Sequence, residues 1–135
     1  MGNYFGGDRL DFNNILLIFQ QLSGCDVEKM NDQMPLIKNA ADRLTALIDE
    51  DKLLAGGGDL IARCEYAAAC CAVYDHVCAL QARERLICTA DGKASMSEDL
   101  SSRIDAAQRL KISALGGLGE IFKDEEFLFE TTGGA

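Results

Sequence analysis

The sequence has no tryptophan, a single proline and no long hydrophobic run. A helix that crosses a bilayer needs roughly 18 to 20 apolar residues in succession, and no segment approaches that length. The apolar stretch at 15–19 (ILLIF) is too short for a signal peptide and has no basic region before it. We therefore expect no membrane span, and a cytoplasmic chain whose cysteines stay reduced.

Basic residues are also in the minority. The chain has 13 lysines and arginines against 22 aspartates and glutamates, which gives a formal net charge of −9. Binding to nucleic-acid phosphates requires clustered lysine and arginine, whereas the basic residues here are scattered. We therefore expect no specific binding of nucleic acid, and the acidity is itself typical of a soluble protein.

Several motifs of catalytic centres are missing as well. The chain contains no Cys-x-x-Cys pair, and the βαβ context of a thioredoxin-like site is lacking. The glycine-rich stretches GGGD and ALGGLGE are not followed by the Lys-Ser/Thr of a phosphate-binding loop. No Ser-His-Asp arrangement is recognisable. The sequence thus predicts a protein that is not an enzyme and has no cofactor and no metal site.

Apolar residues recur at helical spacing in four segments, and no segment alternates as a strand would. The first follows Asp11, a predicted N-cap, and stops at Gly24, because glycine accepts the left-handed conformation that ends many helices. The second is predicted to begin at Asp32, with Pro35 in its first turn. The predicted inner face of the first helix consists of Phe12, Ile15, Leu16, Phe19 and Leu22. The predicted inner face of the second consists of Ile37, Ala40, Ala41, Leu44, Leu47 and Ile48.

A long third helix is predicted after the glycine run in LLAGGGD. Its predicted N-cap is Asp59, and it extends to about Cys88, a length of roughly 43 Å. The fourth helix begins in SMSE, where Ser95 and Glu98 match a capping box. Its predicted inner face is Leu100, Ile104, Ala107, Leu110, Ala114, Leu118 and Ile121. The predicted fold class is all-α, a bundle of about four helices around a long central helix rich in alanine and cysteine.

Residues 64–82 contain four of the six cysteines and the only histidine. Cys64, Cys71 and Cys78 share one helical stripe, but successive members lie about 10.5 Å apart along the axis. They are too far apart to bind one zinc ion together, because each thiolate sulfur must lie about 2.3 Å from the zinc. Free cysteine behaves as a small hydrophobic residue, so cysteine and alanine together predict a close-packed central helix. A zinc site that also uses Cys25 and Cys88 is left open.

Two further predictions concern the same helix. Its larger side chains at heptad spacing are expected to fill the core, and these are Tyr66, Val73, Leu80 and Ile87. His76 is expected to be half-buried. Neither Cys71 nor Cys78 lies three or four residues from it, so a Cys–His nucleophile pair is not expected.

Both ends of the chain differ from the helical segments. Residues 1–10 (MGNYFGGDRL) contain three glycines and predict a flexible arm, with Tyr4 and Phe5 as contact residues. Residues 124–135 predict an extended tail in which Phe127–Phe129 (FLF) are flanked by acidic residues. Large apolar residues on such a tail fold back or dock on a partner. The single bundle domain is therefore assigned to residues 11–123.

The order of these segments resembles that of a known group, the head–tail connector or head-completion adaptor proteins of tailed bacteriophages. The resemblance lies in a helix patterned PLIKNAADRLTALI, a break rich in glycine and aspartate, and a long helix of the type AAACCAVYDHVCAL. A capped helix like SEDLSSRIDAAQRLKISAL and a terminal segment like IFKDEEFLFETT follow. The likeness covers roughly residues 34–132 and concerns the pattern, not fixed identities.

The resemblance implies a structural virion protein without catalytic residues. Such adaptors form a ring beneath the portal protein, twelve-fold like the portal, and extend its channel. Their extended termini contact the portal and the next neck or tail protein. DNA passes through without specific binding, which suits an acidic chain. The expected location is the neck of the virion, and the host cytoplasm during assembly.

Two other functions remain open from the sequence. One is a stand-alone helical bundle of the cytoplasm that acts as an interaction or regulatory module. The other is a bundle that binds a small molecule or a metal, with an enzymatic role left open. The glycine-rich ends favour the adaptor, because a regulator or an enzyme has no need of long terminal arms.

Overall fold

The computed structural model describes the backbone at residues 10–90 and 98–122, and the side chains at 10–83 and 100–122. The described residues form four helices, α1 (Phe12–Ser23), α2 (Met30–Leu47), α3 (Glu50–Ala90) and α4 (Glu98–Gly116). Short 3₁₀ segments cover Val27–Lys29 and Gly119–Ile121. Helix α3 packs against each of the other three. The predicted all-α bundle around a long central helix is confirmed.

Helix α1 begins and ends as predicted. The Asp11 carboxylate accepts a hydrogen bond from the amide of Asn13, and Gly24 closes the helix with φ 72°. Ile15 and Phe19 are buried, whereas Leu22 is largely exposed, so its assignment to the inner face is wrong. Leu10, assigned to the arm from the sequence, is also buried.

Helix α2 begins before its predicted start. The 3₁₀ turn at Val27–Lys29 leads directly into Met30, so Asp32 lies in the first turn and is not the N-cap. Pro35 consequently lies in the helix interior, where its missing N–H leaves the carbonyl of Asn31 without its helical donor. Both residues are exposed to solvent, where water can bind that carbonyl. The predicted inner face is buried apart from Leu47, which is half-buried.

Helix α3 begins at Glu50, nine residues before the predicted Asp59. Asp49 is the residue that caps it, because its Oδ1 accepts from the amides of Asp51 (3.0 Å) and Lys52 (3.3 Å). The glycine run does interrupt the helix: Gly57 has φ 74° and ψ −165°. The predicted break is therefore a kink between two helical segments, and not the start of the helix.

Two neighbouring glycines at this kink should respond oppositely to alanine. Gly57→Ala places a side chain in a backbone region essentially restricted to glycine, and should lower the free energy of unfolding by about 1 to 3 kcal/mol. Gly58 has no positive φ, and a Cβ atom added there would meet nothing within 4 Å. Gly58→Ala should therefore raise stability by about 0.5 to 1 kcal/mol. Urea unfolding of both variants measures this, and equal effects would contradict the kink.

The alanine- and cysteine-rich part of α3 is buried as predicted. No side chain from Ala67 to Cys70 is accessible to solvent, and Cys64 is equally buried. Val73 is buried and Leu80 half-buried, but Tyr66 is 38% exposed. Its place in the predicted core is therefore wrong, because the inner stripe of α3 is occupied by the smaller residues. The side chain of Ile87 lies outside the described residues.

Helix α4 ends at the predicted glycines. The helix stops at Gly116, and a turn and the 3₁₀ segment carry the chain to Phe122. The predicted inner face is buried or half-buried over its whole length, from Leu100 to Ile121. Ser95 of the predicted capping box lies outside the described residues.

Candidate functional site

The residues predicted to contact a partner lie outside the part of the chain that the structure describes. These are Tyr4, Phe5, Phe127, Leu128 and Phe129. Their roles stay predictions, and the structure bears on them through the residues from which the terminal segments depart.

Phe122, the last described residue before the C-terminal segment, is fixed to the bundle. Phe122 has extended backbone angles and forms an antiparallel bridge with Ile48, at the junction of α2 and α3. The amide of Asp49 donates to the carbonyl of Ile121 at 2.7 Å. Ile48, Ile121 and Phe122 are all buried. The chain is thus fixed to the bundle at Phe122, and residue 123, the predicted end of the domain, lies outside the described residues.

Helix α3 and the end of α4 border a groove of about 390 Å³ that is open to solvent. This volume is within the range of small-ligand and peptide sites. The lining is mainly apolar, with small side chains. Its residues, which define the α3–α4 groove, are Ala62, Arg63, Tyr66, Ser113, Ala114, Gly117 and Leu118.

Arg63 is the one charged residue that lines the α3–α4 groove. Its Nη2 donates to the carbonyl of Gly117 at 2.9 Å, so the guanidinium is held at the exposed end of α4. No acidic side chain among the described residues forms an ion pair with Arg63. The groove therefore combines an apolar floor with a positive charge that has no counter-ion on the described surface.

The α3–α4 groove is not predicted by the sequence. Heptad spacing assigns Tyr66 to the core, and Arg63 carries no distinguishing signal. The glycines at 116 and 117 indicate only a helix end. The lining residues of α3 and α4 are about 50 positions apart in the sequence. The cleft between them depends on how the two helices pack, which the spacing of apolar residues does not specify.

The buried cysteines have the properties of packing residues. Burial raises the pKa of the Cys64 thiol to about 11 and that of Cys70 to about 11. Burial also raises the pKa of Cys71. Since the thiolate is the nucleophilic form, these three thiols remain protonated and unreactive at neutral pH.

The rate of thiol labelling should distinguish the half-buried cysteines from the buried ones. At pH 7.5 a maleimide should label the half-buried Cys25 and Cys78 first. Cys64, Cys70 and Cys71 should react about a hundredfold more slowly, because they are buried and little of each is thiolate. Peptide mass spectrometry identifies the labelled positions, and labelling in guanidinium chloride is the control in which all six should react. Fast labelling of any of the three in the folded protein would contradict the packing role.

No group of three or more histidine, cysteine, aspartate or glutamate side chains in the described part of the chain is arranged to bind a metal ion. Cys25 has its Sγ 3.5 Å from the carbonyl oxygen of Asp26. The side chain of Cys88 lies outside the described residues. The zinc site that would combine Cys25 with Cys88 is therefore neither supported nor tested.

His76 is half-buried as predicted. Its Nδ1 donates to Oε1 of Gln33 at 3.0 Å, and the edge of its ring meets Phe19, with the centroids 5.6 Å apart. Burial lowers the pKa of His76, and the positive charges of Arg103 and Arg83 lower it further. A neutral imidazole that joins α1, α2 and α3 is a packing element.

Glu65 is the one buried carboxylate among the described residues. Its Oε2 accepts from the amide of Asp11 at 2.6 Å, and its Oε1 accepts from Nδ2 of Asn14 at 3.2 Å. Hydrogen bonds that satisfy both oxygens allow such a group to be buried. Glu65 therefore fixes the start of α1 against the middle of α3 and is not available as a catalytic acid.

Within the described ranges, no helix is both long enough and apolar enough to span a membrane. Comparison of the chain with family models, with curated proteins and with solved structures found no significant match. Function is therefore inferred from the sequence pattern and from the geometry of the α3–α4 groove and the Phe122 anchor.

Proposed function

We propose that this protein is a head–tail adaptor of a tailed bacteriophage. In this role it forms a twelve-fold ring beneath the portal protein and joins the filled capsid to the next neck or tail protein. The protein performs no chemistry, and its activity is assembly. The pattern of four helical segments and a terminal acidic–apolar segment is the basis of the proposal.

The observation that carries the proposal is the anchor at Phe122. The buried residues of the bundle extend to Phe122, whose backbone is extended. The following residues, 123–135, include the apolar run FLF between acidic residues. A small all-α domain with a fixed, buried Phe122, followed in the sequence by an acidic–apolar run, supports docking by a terminal segment.

The charge of the chain also supports this role. A net charge of −9 disfavours tight binding to DNA phosphates. A conduit for DNA needs this property, because bound DNA would be slow to pass through.

Removal of the C-terminal segment should abolish assembly but not folding. Deletion of residues 125–135 leaves every described residue in place, so the melting temperature should change by less than about 2 °C. Binding to rings of the cognate portal protein should be lost. Sedimentation and electron microscopy of the mixture measure binding, and calorimetry measures the melting temperature.

The full-length variant with Phe127→Ala and Phe129→Ala is the matched control, because it retains the length and charge of the tail. It should also fail to bind the portal. A deletion variant that melts far lower would show that the tail belongs to the bundle. Full-length protein that never binds portal rings would contradict the adaptor role and favour a stand-alone interaction module.

A further inference from the structure

The α3–α4 groove has an occupant in the chain itself. We propose that it binds residues 125–131 (EEFLFET) of a second copy, so that neighbouring copies join tail to groove. This inference rests on the proposed ring and identifies the contact that closes it, so the loss of portal binding on removal of the tail would follow from loss of the ring.

The charges of the two surfaces are complementary. Arg63 lies in the groove without an acidic partner among the described residues. The segment 125–131 has Glu125 and Glu126 before its apolar run and Glu130 after it. Opposite charges at the edge of an interface direct association and fix its register.

The apolar parts are complementary as well. Tyr66 contributes the largest accessible apolar surface of the groove, the buried Leu118 lies at its base, and small side chains such as Ala62 and Ala114 leave space beside the tyrosine ring. An extended segment directs Phe127 and Phe129 to the same side. Two aromatic rings on one side can enter the groove together, next to the partly exposed ring of Tyr66.

The path of the chain favours the groove of a neighbour. Between Leu118, which lines the groove, and Phe122, the chain moves to the α2–α3 junction, where it pairs with Ile48. Phe127 follows Phe122 by only five residues, which span at most about 17 Å. By Phe122 the chain has left its own groove, because Phe122 pairs with Ile48 and is not among the residues that line the groove. A contact from the tail of one copy to the groove of the next is head-to-tail, and it generates a ring when its rotation closes.

A peptide titration tests the groove without depending on ring formation. The full-length variant with Phe127→Ala and Phe129→Ala, labelled with ¹⁵N, is titrated with a synthetic peptide of residues 123–135. Amide signals of 62–66 and 113–118 should shift, and a peptide carrying the same two alanines should leave them unchanged. No shift at a millimolar peptide concentration, or shifts confined to other residues, would overturn the proposal.

A charge exchange separates binding from a structural role of Arg63. Adding Arg63→Glu to the titrated variant should weaken peptide binding at least about tenfold, because attraction becomes repulsion. A peptide with Glu125→Lys and Glu126→Lys should restore binding to this variant. Arg109→Glu, at an exposed position of α4 outside the groove, should have little effect. If the Arg63→Glu variant loses peptide binding and the lysine peptide does not restore it, the proposed pairing of Arg63 with Glu125 and Glu126 is overturned.

Mixing two defective proteins distinguishes a neighbour's groove from the chain's own. Arg63→Glu alone has a defective groove, and Phe127→Ala with Phe129→Ala has a defective tail. Each should remain monomeric, while their mixture should form a one-to-one dimer in sedimentation velocity, with no larger species. Docking between copies would be overturned if the mixture stayed monomeric and the tail of the wild-type protein bound the groove of the same molecule. If the mixed variants form the dimer but the wild-type protein does not bind the portal, the contact between copies is supported and the adaptor role is rejected.

Discussion

Replacement of Phe19 by alanine should lower the free energy of unfolding by about 3 to 5 kcal/mol. The side chain of Phe19 has no accessible surface, and its ring meets the edge of His76 on α3. Alanine would leave a cavity between α1 and α3 and remove this contact. Helix α1 has 12 residues, a length at which an isolated helix is marginal in water. Its packing on α3 is therefore what maintains it.

Leu17→Ala is the matched control on α1, because Leu17 is 54% exposed. It should change stability by less than about 0.5 kcal/mol. Urea unfolding followed by circular dichroism measures both variants. Similar effects of the two substitutions would mean that α1 packs on α3 through a different face.

Ala68→Leu should destabilise the bundle by about 1 to 3 kcal/mol, or more. Ala68 lies between Ala67 and Ala69 on α3, and none of the three is accessible to solvent. The neighbouring helices approach α3 closely here because its side chains are small. A leucine therefore needs space that only separation of the helices can provide.

Ala79→Leu is the matched control on the same helix, because Ala79 is exposed. Alanine and leucine have similar helix propensities, so this substitution should be nearly neutral. Chemical denaturation at matched protein concentrations measures both. If Ala68→Leu were also neutral, α3 would not be surrounded as closely as the structure indicates.

Helical spacing predicts most of the fold because α1, α2 and α4 each bury one face, whereas α3 is buried on several sides. Asp11 and Gly24 delimit α1 as expected, since a capping side chain and a left-handed glycine act locally. The start of α3 is not predicted correctly, because Asp49 caps it before a glycine run that breaks the pattern. The prediction for Tyr66 is wrong because heptad spacing identifies residues that share one stripe of α3, but does not show which stripe faces the core.

The candidate site is predicted only in part, for a different reason. Acidic and apolar residues beside one another at 124–130 predict a contact segment in the tail, and this stays a prediction because these residues lie outside the described part of the chain. Its proposed receptor cannot be found in this way, because the side chains of Arg63 and Leu118 come together only when α3 and α4 pack. Arg63 is recognisable only after the fold shows that no acidic residue in the described part of the chain neutralises it.

The bridge between Ile48 and Phe122 also determines when the bundle can be completed during synthesis. The two residues are 74 positions apart, and translation proceeds at about 5 to 20 residues per second. Asp49 and Ile121 are 72 positions apart, so the carbonyl of Ile121, which accepts from the amide of Asp49, is made about 4 to 14 s after Asp49. Until then the α2–α3 junction is uncovered on the nascent chain. The last described residues to be synthesised are thus the ones that close the bundle.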